Sequence, residues 1–276
     1  MNTSKIILVL AGAILAGIYG CKKNEFRPDE YTNGAGKAQL KVVCFSPDST
    51  SPSAQIYING ALVSPNVNFT NEPYPGGGYN TGGSTYNGYL AVDPGNAIFK
   101  FVQATTYNSI ITKDLFSISL PVEANVKQIV YVTDTGVNRT AFNVKCQTDR
   151  PDSGSVKIQF VNCMPNTTNV PVSFVFNVNG KDTLIAHRLK FKEVKDFVTL
   201  PLFASPILKI FPSDSLFVGK SVSGKDSVYA PPASILGTAY TFAGMSNRKV
   251  YTCTSRGFYK SSNSVAMPKV SLVIIQ

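Results

Sequence analysis

Five cysteines, one histidine and sixteen carboxylates are the side chains of this chain with most chemistry to offer. Their spacing decides how much of it is usable. His187 is the only histidine, and nucleophilic catalysis needs a base beside a nucleophile with a third group to orient it. No G-x-S-x-G elbow accompanies it, so His187 reads as a residue on a partly exposed strand. The acidic residues are scattered, without the suggestive pair that glycoside hydrolysis uses. No Cys-x-x-Cys or Cys-x-x-His spacing supports a zinc or redox motif. Calcium loops with alternating acidic ligands and glycine-rich phosphate loops are missing too. The expectation is a non-enzymatic protein with no metal and no cofactor.

Cys21 has the clearest chemistry. Lys5 precedes an apolar run, Ile6 to Ile18, that ends in Tyr19-Gly20-Cys21. A charged start, an apolar middle and a small residue before a cut site form a secretory signal. Thirteen residues are too few to cross a bilayer, which takes about 20 in a helix. Ile18-Tyr19-Gly20-Cys21 resembles the lipobox of bacterial lipoproteins, whose cysteine receives palmitate-type chains and becomes the first residue after cleavage. That resemblance implies an exported protein, lipid-anchored to the outer membrane on its periplasmic or cell-surface face.

The other cysteines are Cys44, Cys146, Cys163 and Cys253. Export permits disulfides. A division near residue 150 leaves two in each half, which gives Cys44–Cys146 and Cys163–Cys253 as candidate bonds. The alternative is four buried thiols acting as small apolar residues.

The elements that must carry these groups are strands. Apolar residues make up 43% and charged residues only 15%, a balance that favours strands and turns over helices. The net charge of +10 is dispersed and comes with no nucleic-acid motif, so nucleic acid is not an expected partner. Lys22 to Lys37 is polar and aperiodic, a flexible tether. Alternation begins at Gln39–Phe45. Asn59-Gly60, between Gln55–Ile58 and Ala61–Val63, supplies the two positive φ angles of a type I′ hairpin turn. Further strands are expected at Gly88–Val92, Ala97–Val102, Leu115–Leu120, Lys127–Thr133 and Thr140–Cys146. No segment holds a helical period, and so many short strands point to a β-sandwich.

The pattern then repeats. Ala38–Pro47 aligns with Val156–Pro165, Ile56–Val63 with Phe176–Ile185, Ala97–Val102 with Pro206–Phe211, and Lys127–Gly136 with Thr238–Ser246. Four landmarks in one order indicate tandem copies. The expected organisation is a signal peptide over 1–20, a lipidated cysteine and tether over 21–37, and two antiparallel immunoglobulin-like sandwiches over 38–148 and 154–276.

The stretch VVCFSPDS…AQIYINGALV resembles the bacterial family called domain of unknown function 4397. Its members read roughly V-R-V-x-H-x-S-P-D…V-D-V-Y-V-D-G and often occur twice behind a signal peptide. Cys44 stands where that family often has histidine and Gln55 where it often has aspartate. The second copy has Asn162, Met164 and Asn166 in the corresponding places. The family implies an immunoglobulin-like sandwich, an exported location and no established activity. The lipobox with tandem divergent copies resembles surface proteins of Bacteroidota. Asp48-Ser49-Thr50, Asp182-Thr183-Leu184, Asp214-Ser215-Leu216 and Asp226-Ser227-Val228 resemble the O-glycosylation sites of that phylum.

One stretch stands out as a candidate ligand-binding loop. Glu72 to Tyr89 is glycine-rich and carries Tyr74, Tyr79, Tyr86 and Tyr89, whose flat faces and polar tips suit sugar rings or a partner protein. A plain surface loop is the alternative. Arg188, Lys190, Lys192 and Lys195 form a basic strip, for an anionic surface or as the solvated face of an edge strand. Val270–Gln276 is either the closing strand of the second sandwich or a strand donated to another subunit. The functional expectation is a binding or adhesion module for glycan or a partner protein, or else a structural subunit or accessory of a pilus-like or outer-membrane assembly.

Overall fold

The computed structural model describes residues 35–46, 53–68, 73–79, 88–103, 113–135, 138–146, 148–178, 181–202, 207–212, 240–241, 245–259, 261, 263 and 266–276. The signal segment, Cys21, most of the tether, Tyr86 and three of the four Asp-Ser/Thr sites (all but Asp182-Thr183-Leu184) lie outside these residues. The first half holds β1 (Ala38–Cys44), β2 (Ser53–Ile58), β3 (Ala61–Leu62), β4 (Val67–Asn68), β5 (Pro73–Tyr74) and β6 (Gly78–Tyr79). It continues with β7 (Leu90–Val92), β8 (Gly95–Gln103), β9 (Lys113–Val122), β10 (Lys127–Thr133) and β11 (Thr140–Lys145). The second half holds β12 (Ser155–Asn162), β13 (Val172–Val178), β14 (Lys181–Leu189) and β15 (Val194–Pro201). It ends with β16 (Ile207–Pro212), β17 (Tyr240–Thr241), β18 (Val250–Arg256) and β19 (Lys269–Ile274).

The strands form four open sheets, and the fold is all-β sandwich, as composition and periodicity predict. Sheet I runs β11-β10-β1-β5 with β7 also on β1, and sheet II runs β3-β2-β8-β9 with β4 on β2. Sheet III runs β15-β12-β18-β19-β6, and sheet IV runs β14-β13-β16-β17. Asn59 and Gly60 take φ of 50° and 83° at the tip of the β2–β3 hairpin, the twist that matches right-handed strands. Among the described residues the antiparallel expectation holds except for one parallel pair in each half: β1 with β10, and β12 with β18.

The registers correct one alignment. Gln39 pairs with Lys127, and its counterpart Lys157 pairs with Val250. The equivalent of Lys127–Thr133 is therefore Val250–Arg256, rather than Thr238–Ser246. Beside them, Gln128 faces Lys145 on β11 and Tyr251 faces Ile274 on β19.

Burial explains why sheets I and III sit in the middle. Leu40, Val42 and Cys44 point into the first sandwich with Ile56, Phe99 and Phe101. Ile158 and Phe160 point into the second with Phe174, Phe176 and Leu208. The opposite faces of the same strands are buried as well. Val43, Phe45, Ile129, Tyr131, Val161, Cys163, Val250 and Val273 belong to a third cluster, between the two sandwiches. Strands buried on both faces lose polar alternation and read as near-continuous apolar runs, as Val42-Val43-Cys44-Phe45 does. Burying side chains of this size contributes about 1.5–3 kcal/mol each. The seam joining the halves is thus a core in its own right.

Candidate functional site at the seam

The site grows from one residue that the hydropathy pattern does not announce. On β1, Lys41 shares a face with Val43 and Phe45, so its side chain enters the seam and is 0% exposed. A buried ammonium is costly unless its protons find acceptors. Its Nζ donates to the carbonyls of Gly76 at 2.7 Å and Gly88 at 2.8 Å, and lies 4.7 Å from the centroid of the Tyr89 ring. No carboxylate is among these partners. Burial lowers the Lys41 pKa to about 7, with Cys146 working against the shift and Lys127 adding to it.

Both carbonyls belong to the glycine-rich stretch, whose described residues, 73–79 and 88–89, act as a strap. It leaves β1 at β5, where Tyr74 pairs with Val42, passes the cis Tyr74–Pro75 bond, and reaches the second half. There Gly78 and Tyr79 of β6 pair with Val273 and Leu272, and Ile274 N donates to Gly77 O at 2.6 Å. The strap returns at Tyr89, whose hydroxyl donates to Ile275 O at 2.8 Å. Its ring faces both Lys41 and Lys127, and burial raises its pKa.

The candidate ligand-binding loop is corrected for two of its four tyrosines. Tyr74 is buried in the first sandwich core, and Tyr89 is a partly buried clasp between halves. Tyr79 stands on β6 by its backbone register, and Tyr86 lies outside the described residues. β19 is paired on both sides within the chain, by β18 and by β6, the arrangement expected of a closing strand for Val270–Gln276.

The cysteine pairs are corrected too. Cys44, Cys146, Cys163 and Cys253 are all buried thiols, and no disulfide joins them. Cys44 faces the first core and Cys253 the second, while Cys146 and Cys163 face the seam. Each candidate bond would have to pass through a sheet, against the close Cβ approach that a disulfide needs. Burial raises the Cys146 pKa to about 12, opposed by Tyr89 and the two lysines, and also raises Cys163 and Cys253. Thiolate is the reactive form. At pH 8 an aromatic disulfide reagent is therefore expected to leave all four untouched until denaturant is added. Rapid native labelling of any of them would contradict the burial described.

At the other end of the seam, Phe45 stacks on Tyr131 at 5.9 Å and Tyr131 meets Phe142 at 5.5 Å. Phe191 of the second half closes this row edge-on, 6.2 Å from Phe142. Two cations cap it: Arg256 over Phe45 and Lys192 over Phe191. Lys192 Nζ also donates to Thr140 Oγ1 at 3.1 Å. All four residues of the predicted basic strip are exposed, and Lys192 among them also reaches the rim of the seam through Phe191 and Thr140. His187 is exposed on β14, its pKa lowered by partial burial and then by Arg188.

Asn162, in the place corresponding to Cys44, is the centre of a second buried polar group. Its Nδ2 donates to Thr167 Oγ1 and Leu189 O, while its Oδ1 accepts from Ser255 Oγ and Met164 N. With every bond made, it fixes a turn rather than offering an open group. Among the described residues no three His, Cys, Asp or Glu side chains gather as metal ligands, and no helix is long and apolar enough to cross a membrane.

An open cleft lies among the described residues. Gln39, Asn125, Lys127, Thr148, Asp149 and Gln276 line a cleft of about 380 Å³ at the edge of the seam. Both halves and the segment joining them contribute to it. Lys127 Nζ donates to Gln276 Oε1 at 3.4 Å, and Gln276 Nε2 donates to Thr148 O at 2.6 Å. Lys157 holds the joining segment from outside, through Thr148 Oγ1 and Asp149 O. The aligned residues in β1 pointed to the first half's family, but no local pattern marks this cleft, because its residues lie far apart in the chain.

No curated protein matches the chain. Residues 38–173, from the first residue of β1 into β13, match the family described as Domain of unknown function (DUF4397).

Proposed function

We propose that this chain is an exported lipoprotein, anchored through Cys21 to the outer membrane, whose two tandem sandwich copies act as a non-catalytic binding or adhesion module. Residues 1–20 are the signal peptide and 21–37 the tether, with copies over 38–148 and 154–276 joined near 148–154. Its ligand is a glycan or a partner protein. The reading of two copies is supported by matching strand orders, with β1, β10 and β11 in the places of β12, β18 and β19.

The observation that carries the binding reading is the seam. Strap, aromatic row and buried lysine fix the two sandwiches against each other, so the surface that both contribute to at the edge of the seam is preformed. Association costs several kcal/mol in lost freedom, and a preorganised surface reduces that cost. Rigidity of this kind suits recognition. The anchor is tested by palmitate labelling: Cys21→Ser should abolish incorporation and release the protein, and continued labelling would refute it. Binding is tested with the parent protein on an oligosaccharide array and by identifying co-purifying membrane partners.

A second reading, a structural subunit or accessory of a pilus-like or outer-membrane assembly, is favoured by β9. This strand of ten residues stands at the edge of sheet II, and an edge strand can accept another chain. Sedimentation showing a single copy at micromolar concentration would remove it.

A further inference from the structure

We propose that the cleft lined by Gln39, Asn125, Lys127, Thr148, Asp149 and Gln276 is a saccharide site. This rests on the binding-module reading and gives it a location and a ligand class. At about 380 Å³ the cleft falls within the range of small-molecule sites, roughly 300–1,000 Å³. Its lining has no large apolar side chain, which rules out an apolar ligand as the natural occupant.

The donors and acceptors are mixed. Three carboxamides (Gln39, Asn125, Gln276) and the Thr148 hydroxyl both donate and accept, Lys127 donates, and the Asp149 carboxylate accepts. A sugar hydroxyl also does both, so a polyol meets such a wall without leaving groups unpaired. The formal charges of Lys127 and Asp149 cancel, which disfavours polyphosphate and highly sulfated ligands. No aromatic ring joins the lining, so recognition falls on hydroxyl geometry rather than on ring stacking.

The site is also built before a ligand arrives. Asn125 takes a positive φ of 60°, its Oδ1 accepts from Gly36 N at 2.9 Å, and its backbone N donates to Lys37 O at 2.8 Å. That leaves its Nδ2 as the group to offer. Lys127 is held between Gln276 and the ring of Tyr89. The cleft therefore sits directly behind the strap clasp, and its walls come from both halves of the chain.

The test uses the whole exported protein. An array of neutral and acidic oligosaccharides identifies the tightest one, which is then titrated calorimetrically into the parent, Asp149→Asn and Gln39→Ala. A Lys100→Ala change on sheet II serves as the control, and melting curves check that each variant folds. The proposal expects each cleft variant to bind about tenfold more weakly, the loss of one hydrogen bond to a polar or charged group, with the control unchanged. Saccharide binding that neither cleft variant weakens would overturn the location and leave the binding module standing. Binding of free amino acids but of no oligosaccharide would overturn the ligand class. An empty array with no partner co-purifying would overturn both readings together.

Discussion

Replacing Lys41 by Met is expected to remove one contribution to the pH dependence of stability, which in the parent grows in favour of folding between about pH 7 and pH 10.5. The sign follows from proton linkage. An unfolded lysine keeps its proton up to about 10.5, whereas the buried one gives it up near 7. Between those values this side chain holds its proton in the unfolded chain and not in the folded one, so its contribution to stability increases with pH. Comparing parent with variant isolates it from the buried thiols, which act in the opposite sense at high pH. Below about 7 both states are protonated and the full cost of the buried charge is present. Above about 10.5 neither is, and the cost is gone. At roughly 1.4 kcal/mol per pH unit, the span corresponds to something on the order of 5 kcal/mol.

Methionine keeps the apolar stem and removes the charge. It also deprives the Gly76 and Gly88 carbonyls of their donor, at a cost of about 1–3 kcal/mol each. At pH 7 these effects nearly offset each other. At pH 10 only the loss remains, so the variant should fall below the parent. Urea midpoints at both pH values measure this, and hydrogen exchange should show lost protection at β6. A variant whose midpoint tracks the parent's across the range would mean that Lys41 is not buried as a cation.

Tyr131→Ala is expected to cost about 3–5 kcal/mol, the range for removing a large ring from a packed core. Its ring sits between Phe45 and Phe142 and is buried by the second half, so the cavity belongs to both sandwiches. The measurement is calorimetric. One cooperative transition, shifted down as a whole, is the expected result. Two transitions, with only one displaced, would mean that the sandwiches are merely tethered. Tyr131→Phe isolates the hydroxyl, which meets no partner at hydrogen-bond geometry although Thr252 is near. Removing an unsatisfied buried group is nearly neutral or stabilising, so this variant should melt at or slightly above the parent.

Local rules account for what was readable in the residues. The Asn59-Gly60 turn, the alternation of β2 and the span of Lys127–Thr133 depend on neighbours in the chain, and all appear as expected. The parallel pairs and the seam join segments far apart, where periodicity has little to say. A trace was present: Val42 to Phe45 and Ile129 to Val132 are unbroken apolar runs, the mark of strands covered on both sides. Lys41 interrupts that logic, because a charge beside such a run suggests a solvated face. Its true surroundings depend on carbonyls 35 and 47 residues further along. The cysteine pairs failed for a related reason, since position along the chain does not say which face of a sheet a side chain takes.

The strap has a consequence for the order in which the chain assembles. Among the described residues β6 pairs with β19, so an early segment waits for one that comes far later in the chain. Until then, Val43, Phe45, Ile129 and Tyr131 have no cover. Contacts of such long sequence separation slow folding, and exposed apolar strands invite wrong pairing while they persist. The first sandwich is therefore an unfinished product for as long as the second is unmade. A chaperone that shields the outer face of sheet I during that interval would speed the yield of native protein without touching its final stability.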